Sequence, residues 1–341
     1  MAPLTRVRAG STHVPNQLMA EYYSQRAGAG LIMTECTMVA GDASAFLAEA
    51  GIFNEATVEG WRLVTDAVHA AGGMIIMQIW HPGRATHSAI NGVQPISSSN
   101  KAIRGQTIHT PLGKVPYEAP RPLETAELPG IVDTFRRAAA RAKSAGFDGV
   151  QIHGAHGYLI DQFLRDSVND RVDHYGGSLE NRARLLLEVT DAAIGVFGAG
   201  RVAIRISPLV PFNDMSESDP SALVRHVAQQ MSARQIAFFE LRHDLHDRPA
   251  EMALARLARE HFAGVLMLNG GFDQASGEQA VTSGLADAIV YGRLFIANPD
   301  LVERFRLRNA PLNPLRADSL YSSGAEGYTD YPSLSTAVNA I

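Results

Sequence analysis

The sequence predicts an α/β chain folded as a (β/α)8 TIM barrel with a shortened first strand. Three observations carry that expectation. Short apolar runs alternate strictly with amphipathic segments, the pattern of a parallel sheet covered by helices. Eight such runs fit within 341 residues, a length usual for one closed barrel. No G-x-G-x-x-G follows the first run, which argues against an open doubly wound sheet. Composition marks no linker and no short repeat stands out, so residues 1–341 read as one domain.

The elements follow in order. Met1 to Leu4 is a strand stub, short for a barrel. Gln17 to Ala29 reads as a helix ended by Gly30, and Leu31 to Glu35 as the second strand. Glu55 to Ala71 is a helix stopped by Gly72-Gly73. Met74 to Trp80 is almost wholly apolar, as expected of a strand buried on both faces. Residues 82–122 are rich in Pro, Ser, Gly and Asn and read as a long lid loop. Glu127 to Ala145 is a helix, and Gly149 opens the fourth strand. Helices over Leu179–Val196, Pro220–Ala233, Pro249–His261, Gln274–Ser283 and Pro299–Arg308 then alternate with strands over Arg201–Ile206, Ile236–Leu241, Val265–Leu268 and Ala288–Tyr291.

Composition removes several function classes. The net charge is -5 and no Lys/Arg run appears, so no nucleic-acid partner is expected. The single cysteine, Cys36, excludes internal disulfides and Cys-ligated zinc or iron–sulfur sites within one chain. No apolar run approaches the roughly 18–20 residues of a membrane span. No signal-peptide pattern opens the chain, so a cytoplasmic protein is expected.

In a barrel, chemistry belongs at the C-terminal ends of the strands. The fourth run breaks at glycines and is followed by His153, His156 and Tyr158, three hydrogen-bonding groups within six residues. They suit a substrate oxygen, or, with Asp161, a metal. Gly270-Gly271 and Gly292-Arg293 follow the last two strands, where barrels often bind phosphate; two glycine turns and a surface salt bridge are the plainer reading. Arg205 ends an apolar strand and points inward, so an anionic or carbonyl-rich partner is expected for it. His13, His69, His226, His243, His246 and His261 read as surface or helix positions.

Together these residues resemble the old yellow enzyme family of FMN-dependent ene-reductases. The matching stretches run nearly end to end: MAPLTRVRA at 1–9, YYSQRAGAGLIMTE at 22–35, HAAGGMIIMQIWHPGR at 69–84, AGFDGVQIHGAHGYLIDQFL at 145–164, NDRVDHYGGSLENRARLLLEV at 169–189, RISP at 205–208, LNGGF at 268–272, YGRLFIANPDLVER at 291–304 and AEGYTDYPSL at 325–334. The resemblance implies FMN at the barrel mouth and NADPH or NADH as reductant, in an enzyme of the NADPH dehydrogenase type. Pro3, Leu4 and Thr5 would line one flavin edge, near Cys36. Gln78 would meet the pyrimidine side, and Arg205 would stabilise the reduced ring. Gly270, Gly271, Gly292 and Arg293 would hold the phosphate. His153 and His156 would bind the substrate's oxygen and Tyr158 would donate a proton. Trp80 and Tyr321 would shape the pocket for an activated alkene: an enal, enone, maleimide or nitroalkene.

No metal is expected, and the chain is read as a monomer or homodimer. Where the family usually carries roughly twenty residues before its Met-Ala-Pro-Leu-Thr motif, this chain begins at that motif. Reduced stability is the expectation, and an impaired barrel serving only in binding is the alternative function. Cys36 stands where the family has a small residue, as buried filler or as a tuner of the flavin. Gln151 replaces a glutamate common in the family, and little is attached to it.

Overall fold

The structure is a computed structural model, and it describes residues 1–334. Its main sheet is parallel and runs in the order Ile32–Met33, Ile75–Trp80, Gly149–Gly154, Val202–Ile206, Phe238–Arg242, Val265–Asn269 and Ala288–Val290. A short strand at Thr37–Met38 extends the pairing of Ile75–Trp80 beyond Ile32–Met33. The helices Glu55–Ala70, Leu128–Ser144, Leu179–Phe197, Pro220–Arg234, Pro249–His261 and Gln274–Thr282 intervene as the alternation predicts. Among the described residues no helix is long and apolar enough to cross a membrane.

The expected first strand is a correction. Met1 to Leu4 forms no ladder, yet its first residues close the cylinder. The Met1 amine donates to Leu31 O at 2.7 Å, and Met33 N donates to Met1 O at 3.2 Å. On the other side Ala2 N donates to Tyr291 O at 2.8 Å. Two residues thus bridge the Ile32–Met33 and Ala288–Val290 edges, where unpaired backbone would otherwise be left. Burial of the Met1 amine pushes its pKa down to about 5.

The barrel interior follows a period of two. Ile76, Ala203, Phe238 and Met267 pack together with Ala2, Met33 and Val290 as an apolar plug. Two residues further along the same strands stand Gln78, Arg205, Glu240 and Asn269. The same inward face therefore turns from apolar to polar toward the C-terminal ends. The outward faces, such as Val150, Ile152, Ile204 and Leu241, join the large core with Leu185, Leu186, Val189 and Val224 of the helices.

The long segment after Trp80 carries structure of its own. Thr107–Thr110 and Gly113–Pro116 form an antiparallel hairpin, and Ile96–Ser97 pairs with Arg121–Pro122. It is tied down by the helix Leu159–Leu164, where Gln162 accepts from Ser97 Oγ at 2.8 Å and Ser98 Oγ donates to Gln162 O at 2.6 Å.

At the other end, Arg8 and Arg6 tether the C-terminal segment. Arg8 Nη2 donates to Ser319 O at 2.9 Å and Arg6 Nη2 to Gly327 O at 2.7 Å. Tyr22 and Tyr328 stack at 4.0 Å, with the guanidinium of Arg26 lying 3.8 Å from the Tyr22 ring. These contacts give the TRVRA, YYSQRA and AEGYTDY stretches a structural role.

Candidate active site

A cavity of about 640 Å³ opens at the C-terminal ends of the strands. It is lined by Pro3, Leu4, Thr5, Cys36, Gln78, His153, His156, Tyr158, Arg205, Arg293 and Tyr321, all of them sites expected from the sequence. A second cavity of about 500 Å³ lies beside it, shares Phe46, Tyr158, Phe212 and Tyr321, and is roofed by Thr107–His109 of the hairpin. A larger, mostly apolar groove of about 800 Å³ runs by Met1, Leu31, Tyr291 and Phe305. It holds none of the expected site residues, so chemistry is sought in the smaller, polar cavity.

The strand Gly149–Gly154 delivers His153 and then turns sharply. His156 has φ 57° and Gly157 φ 71°, both left-handed. A Cβ on Gly157 would stand 2.6 Å from Met215 Cγ, so the turn needs glycine. His156 is held there because its N–H donates to Ser207 Oγ at 2.8 Å and its carbonyl accepts from Asn213 Nδ2 at 2.9 Å. A non-glycine residue fixed in that region is the kind of strain that collects at functional sites. Tyr158 then caps the helix Leu159–Leu164.

The three rings form one group. The centroids of His153 and His156 are 5.5 Å apart, and those of His153 and Tyr158 are 5.0 Å apart, edge to face. Burial, reinforced by the charge of Arg205, pushes the His153 pKa down to about 3 and that of His156 well below its ordinary value. Both are neutral at pH 7, so each has one N–H to give. The Ala155 N–H donates to His153 Nδ1 at 3.3 Å, which assigns the His153 proton to Nε2. Burial raises the Tyr158 phenol well above its ordinary value, so it keeps its proton. The site therefore offers two neutral donors and a protonated phenol.

Asp161 takes no part in this group. It accepts from Gly157 N at 2.8 Å and lies 3.7 Å from Arg165. No set of His, Cys, Asp and Glu that could hold a metal is found among the described residues.

Elsewhere in the lining, Thr5 Oγ1 and Cys36 Sγ are 3.0 Å apart, and burial pushes the Cys36 thiol pKa well up. Gln78 and Arg205 are both buried. Arg205 meets the partner expected for it: Glu240 Oε1 lies 3.0 Å from its Nε, and its Nη2 donates to Asn269 Oδ1 at 2.9 Å.

Arg293, which starts the short helix Arg293–Ala297, and Arg242 bring two guanidinium groups to the lining, with the Asp244 carboxylate acting on Arg242. Gly270, Gly271 and Gly292 are not part of that lining. Gly270 has φ 128°, and a Cβ there would meet His243 O at 2.3 Å. A Cβ on Gly292 would come within 3.3 Å of Leu4 Cδ1, so the turn before Arg293 packs tightly on the cavity wall.

Two expectations need correction. Trp80 does not line the cavity. It is fully buried in a cluster with Cys36, Met38, Ala43, Ala45, Ala85 and Ile103, and it acts from behind, its ring 5.1 Å from Tyr158 at 88°. His243 is not a surface residue but is fully buried, with neither ring nitrogen bonded, which pushes its pKa down to about 3. Phe46, Gln106, Phe212, Arg242 and Asp244 also line the cavity and were missed. For Arg242 and Asp244 a signal existed, since Arg242 ends the sixth barrel strand and Asp244 follows it, where the barrel rule directs attention.

The donor set and shape fit FMN. A hydrogen-bonding and cationic end formed by Gln78 and Arg205 suits a pyrimidine ring. At Gly270 a Cβ would collide with backbone, and Gly292 directly precedes Arg293 of the lining, so both turns offer bare backbone N–H groups. Arg242 is also a lining residue, and its Nη1 is buried without a partner, as a phosphate ligand would be before the anion arrives.

The comparisons agree with this geometry. The family model of the NADH:flavin oxidoreductase / NADH oxidase family matches residues 1–310. A probable flavin mononucleotide-dependent alkene reductase of Leishmania infantum is 46% identical over 97% of this chain and 92% of its own length. The 12-oxophytodienoate reductase 7 of Oryza sativa subsp. japonica is 45% identical over 98% of this chain and 90% of its own. Among solved structures, an old yellow enzyme homologue from Zymomonas mobilis superposes with a TM-score of 0.94 at 43% identity, covering 97% of this chain and 94% of that one. Morphinone reductase in complex with tetrahydroNAD gives 0.93 at 41% identity, covering 98% and 93%. The chain is a (β/α)8 barrel that belongs to the NADH:flavin oxidoreductase / NADH oxidase family, the old yellow enzyme family of FMN proteins.

Proposed function

We propose that this protein is an NAD(P)H-dependent FMN ene-reductase that reduces activated C=C bonds, of the NADPH dehydrogenase type. The observation that carries the reading is that the His153–His156–Tyr158 group shares the lining of one cavity with Arg205 and Gln78. FMN, when bound, would supply the hydride. Gln78 and Arg205 would hold its pyrimidine end, Pro3, Leu4 and Thr5 one edge, and Arg293 with the turns at Gly270, Gly271 and Gly292 its phosphate.

The rest is done by side chains. His153 Nε2–H and the N–H of His156 bind the carbonyl or nitro oxygen of the alkene. As the β-carbon accepts hydride, negative charge gathers on that oxygen, and the two fixed donors stabilise it. Tyr158 gives its phenolic proton to the α-carbon; it can do so because burial keeps the proton on the oxygen until the carbon becomes basic. The oxygen donors and the phenol come from the end of one strand and the turn that follows it, so one substrate pose serves both. Trp80, edge-on to Tyr158, holds the phenol ring in place.

We read residues 1–341 as one FMN-binding unit with 82–122 as its lid. The impaired-barrel alternative is not favoured, because the seam at Met1–Ala2 is bonded on both sides and the full donor set is in place. The test is reconstitution with FMN followed by anaerobic turnover of an enone with NADPH or NADH. Stoichiometric bound flavin with alkene reduction is expected, and a protein that takes up no flavin overturns the reading.

A further inference from the structure

A buried polar chain crosses the barrel beneath the cavity. Gln78 Nε2 donates to Gln151 Oε1 at 2.8 Å, and Gln151 Nε2 donates to Glu240 Oε2 at 2.7 Å. The other oxygen of Glu240 lies 3.0 Å from Arg205 Nε. Exposure is 1% for Gln78, 0% for Gln151, 0% for Glu240 and 4% for Arg205, so no solvent competes for these bonds. The ends of the chain, Gln78 and Arg205, line the cavity, whereas Gln151 and Glu240 do not. Strands Gly149–Gly154 and Phe238–Arg242 are second neighbours, with Val202–Ile206 between them, so the Gln151–Glu240 bond spans the interior.

The direction of the chain has one cause. A carboxylate only accepts hydrogen bonds. Glu240 therefore turns the Gln151 amide nitrogen toward itself, which leaves Gln151 Oε1 to face Gln78 and draws the Gln78 nitrogen inward. The same carboxylate holds the Arg205 guanidinium and offsets its charge. Removing one member of such a buried pair leaves an uncompensated charge.

We propose that Glu240 is a positioning residue for the flavin site: through Gln151 and Arg205 it fixes the polarity of the groups at the pyrimidine end and tempers their positive charge, and so sets the reduction potential of bound FMN. The proposal rests on the FMN reading above. FMN gains negative charge on two-electron reduction, and a guanidinium stripped of its counter-charge favours that state more strongly. Gln151 and Glu240 share one device, so the carboxylate can be moved from one strand to the other with the network kept intact.

The experiment is spectroelectrochemical titration of FMN-loaded parent, Glu240→Gln, and the exchanged variant Gln151→Glu/Glu240→Gln. Full flavin occupancy of the parent establishes the reading on which the proposal stands, and a parent without flavin overturns both. Glu240→Gln is expected to shift the oxidised/reduced equilibrium at least tenfold toward the reduced form, about +30 mV for a two-electron couple. The exchanged variant is expected to return most of the way to the parent. An unchanged potential in Glu240→Gln, or an exchanged variant displaced as far as Glu240→Gln, overturns the proposal. If Glu240→Gln alone does not retain FMN, restored loading in the exchanged variant supports the proposal and absent loading overturns it.

Discussion

On the proposed mechanism, replacing His153 by alanine removes one of the two oxygen donors. Its Nε2–H is committed to the cavity because Nδ1 already accepts from Ala155 N at 3.3 Å. Loss of one such preorganised donor costs about 2.7–4 kcal/mol in the transition state, a factor of roughly 10²–10³ in rate. His156→Ala removes the second donor at a similar cost. The pair acts on one oxygen, so the double variant is expected to lose less than the sum. His153→Asn keeps an N–H of shorter reach and is expected to recover part of the activity. Two assays check this: reoxidation of the reduced enzyme by an enone in stopped flow, and titration with a phenol read through the flavin absorbance. The alanine variants should lose phenol binding along with rate. Flavin-loaded variants that bind phenols and reduce enones as the parent does would refute the role given to the imidazoles.

Other consequences concern the scaffold. Gly157→Ala forces a Cβ to within 2.8 Å of Asn213 Cβ at φ 71°, and should lower stability by about 1–3 kcal/mol in a thermal or denaturant melt. Arg8→Met removes the donor to Ser319 O and Leu320 O, with an expected cost of about 1.5–3 kcal/mol and faster proteolysis of the segment that carries Tyr321. His153 also leaves a signature in the pH dependence. Its folded pKa is about 3 against an ordinary 6.5, so between those values the unfolded chain binds a proton that the folded chain does not. Stability from this group is present above pH 6.5 and falls as pH drops, by about 1.4 kcal/mol per pH unit. Relative to His153→Asn, the parent should therefore lose about 2 kcal/mol between pH 7 and pH 5, measured by urea unfolding.

Much of this molecule is legible in its sequence because period and position are local properties. The apolar strands, the glycine stops and the strand-end residues Gln78, His153 and Arg205 follow from alternation and from the barrel rule. The expected anionic partner of Arg205 is Glu240, a charge set within the apolar run Phe238-Phe239-Glu240-Leu241. Its identity required the register, which pairs Glu240 with Arg205 across neighbouring strands.

Four features stayed out of reach for a common reason, that long-range contacts are not written in spacing. Trp80 sits at a strand end but is buried in a cluster with Cys36 and Met38, some forty residues earlier in the chain. His243 is polar, yet the turn at Gly270 buries it. The Met1–Ala2 seam works through backbone bonds to two edges that only the closed sheet brings together. Gln151, a modest difference in sequence, gains its meaning only when Gln78 and Glu240 are seen on either side of it.

The central claim, that Tyr158 delivers the proton while His153 and His156 hold the oxygen, is tested most directly by Tyr158→Phe. The ring contacts with Trp80 at 5.1 Å and His153 at 5.0 Å need no hydroxyl, so the pocket should keep its shape. Rapid mixing of each half-reaction separates the steps. Flavin reduction by NADPH is expected to match the parent, and alkene reduction to slow by roughly 10²–10⁴, the range for loss of a general acid. Equal effects on the two half-reactions, or none on alkene reduction, would contradict the account.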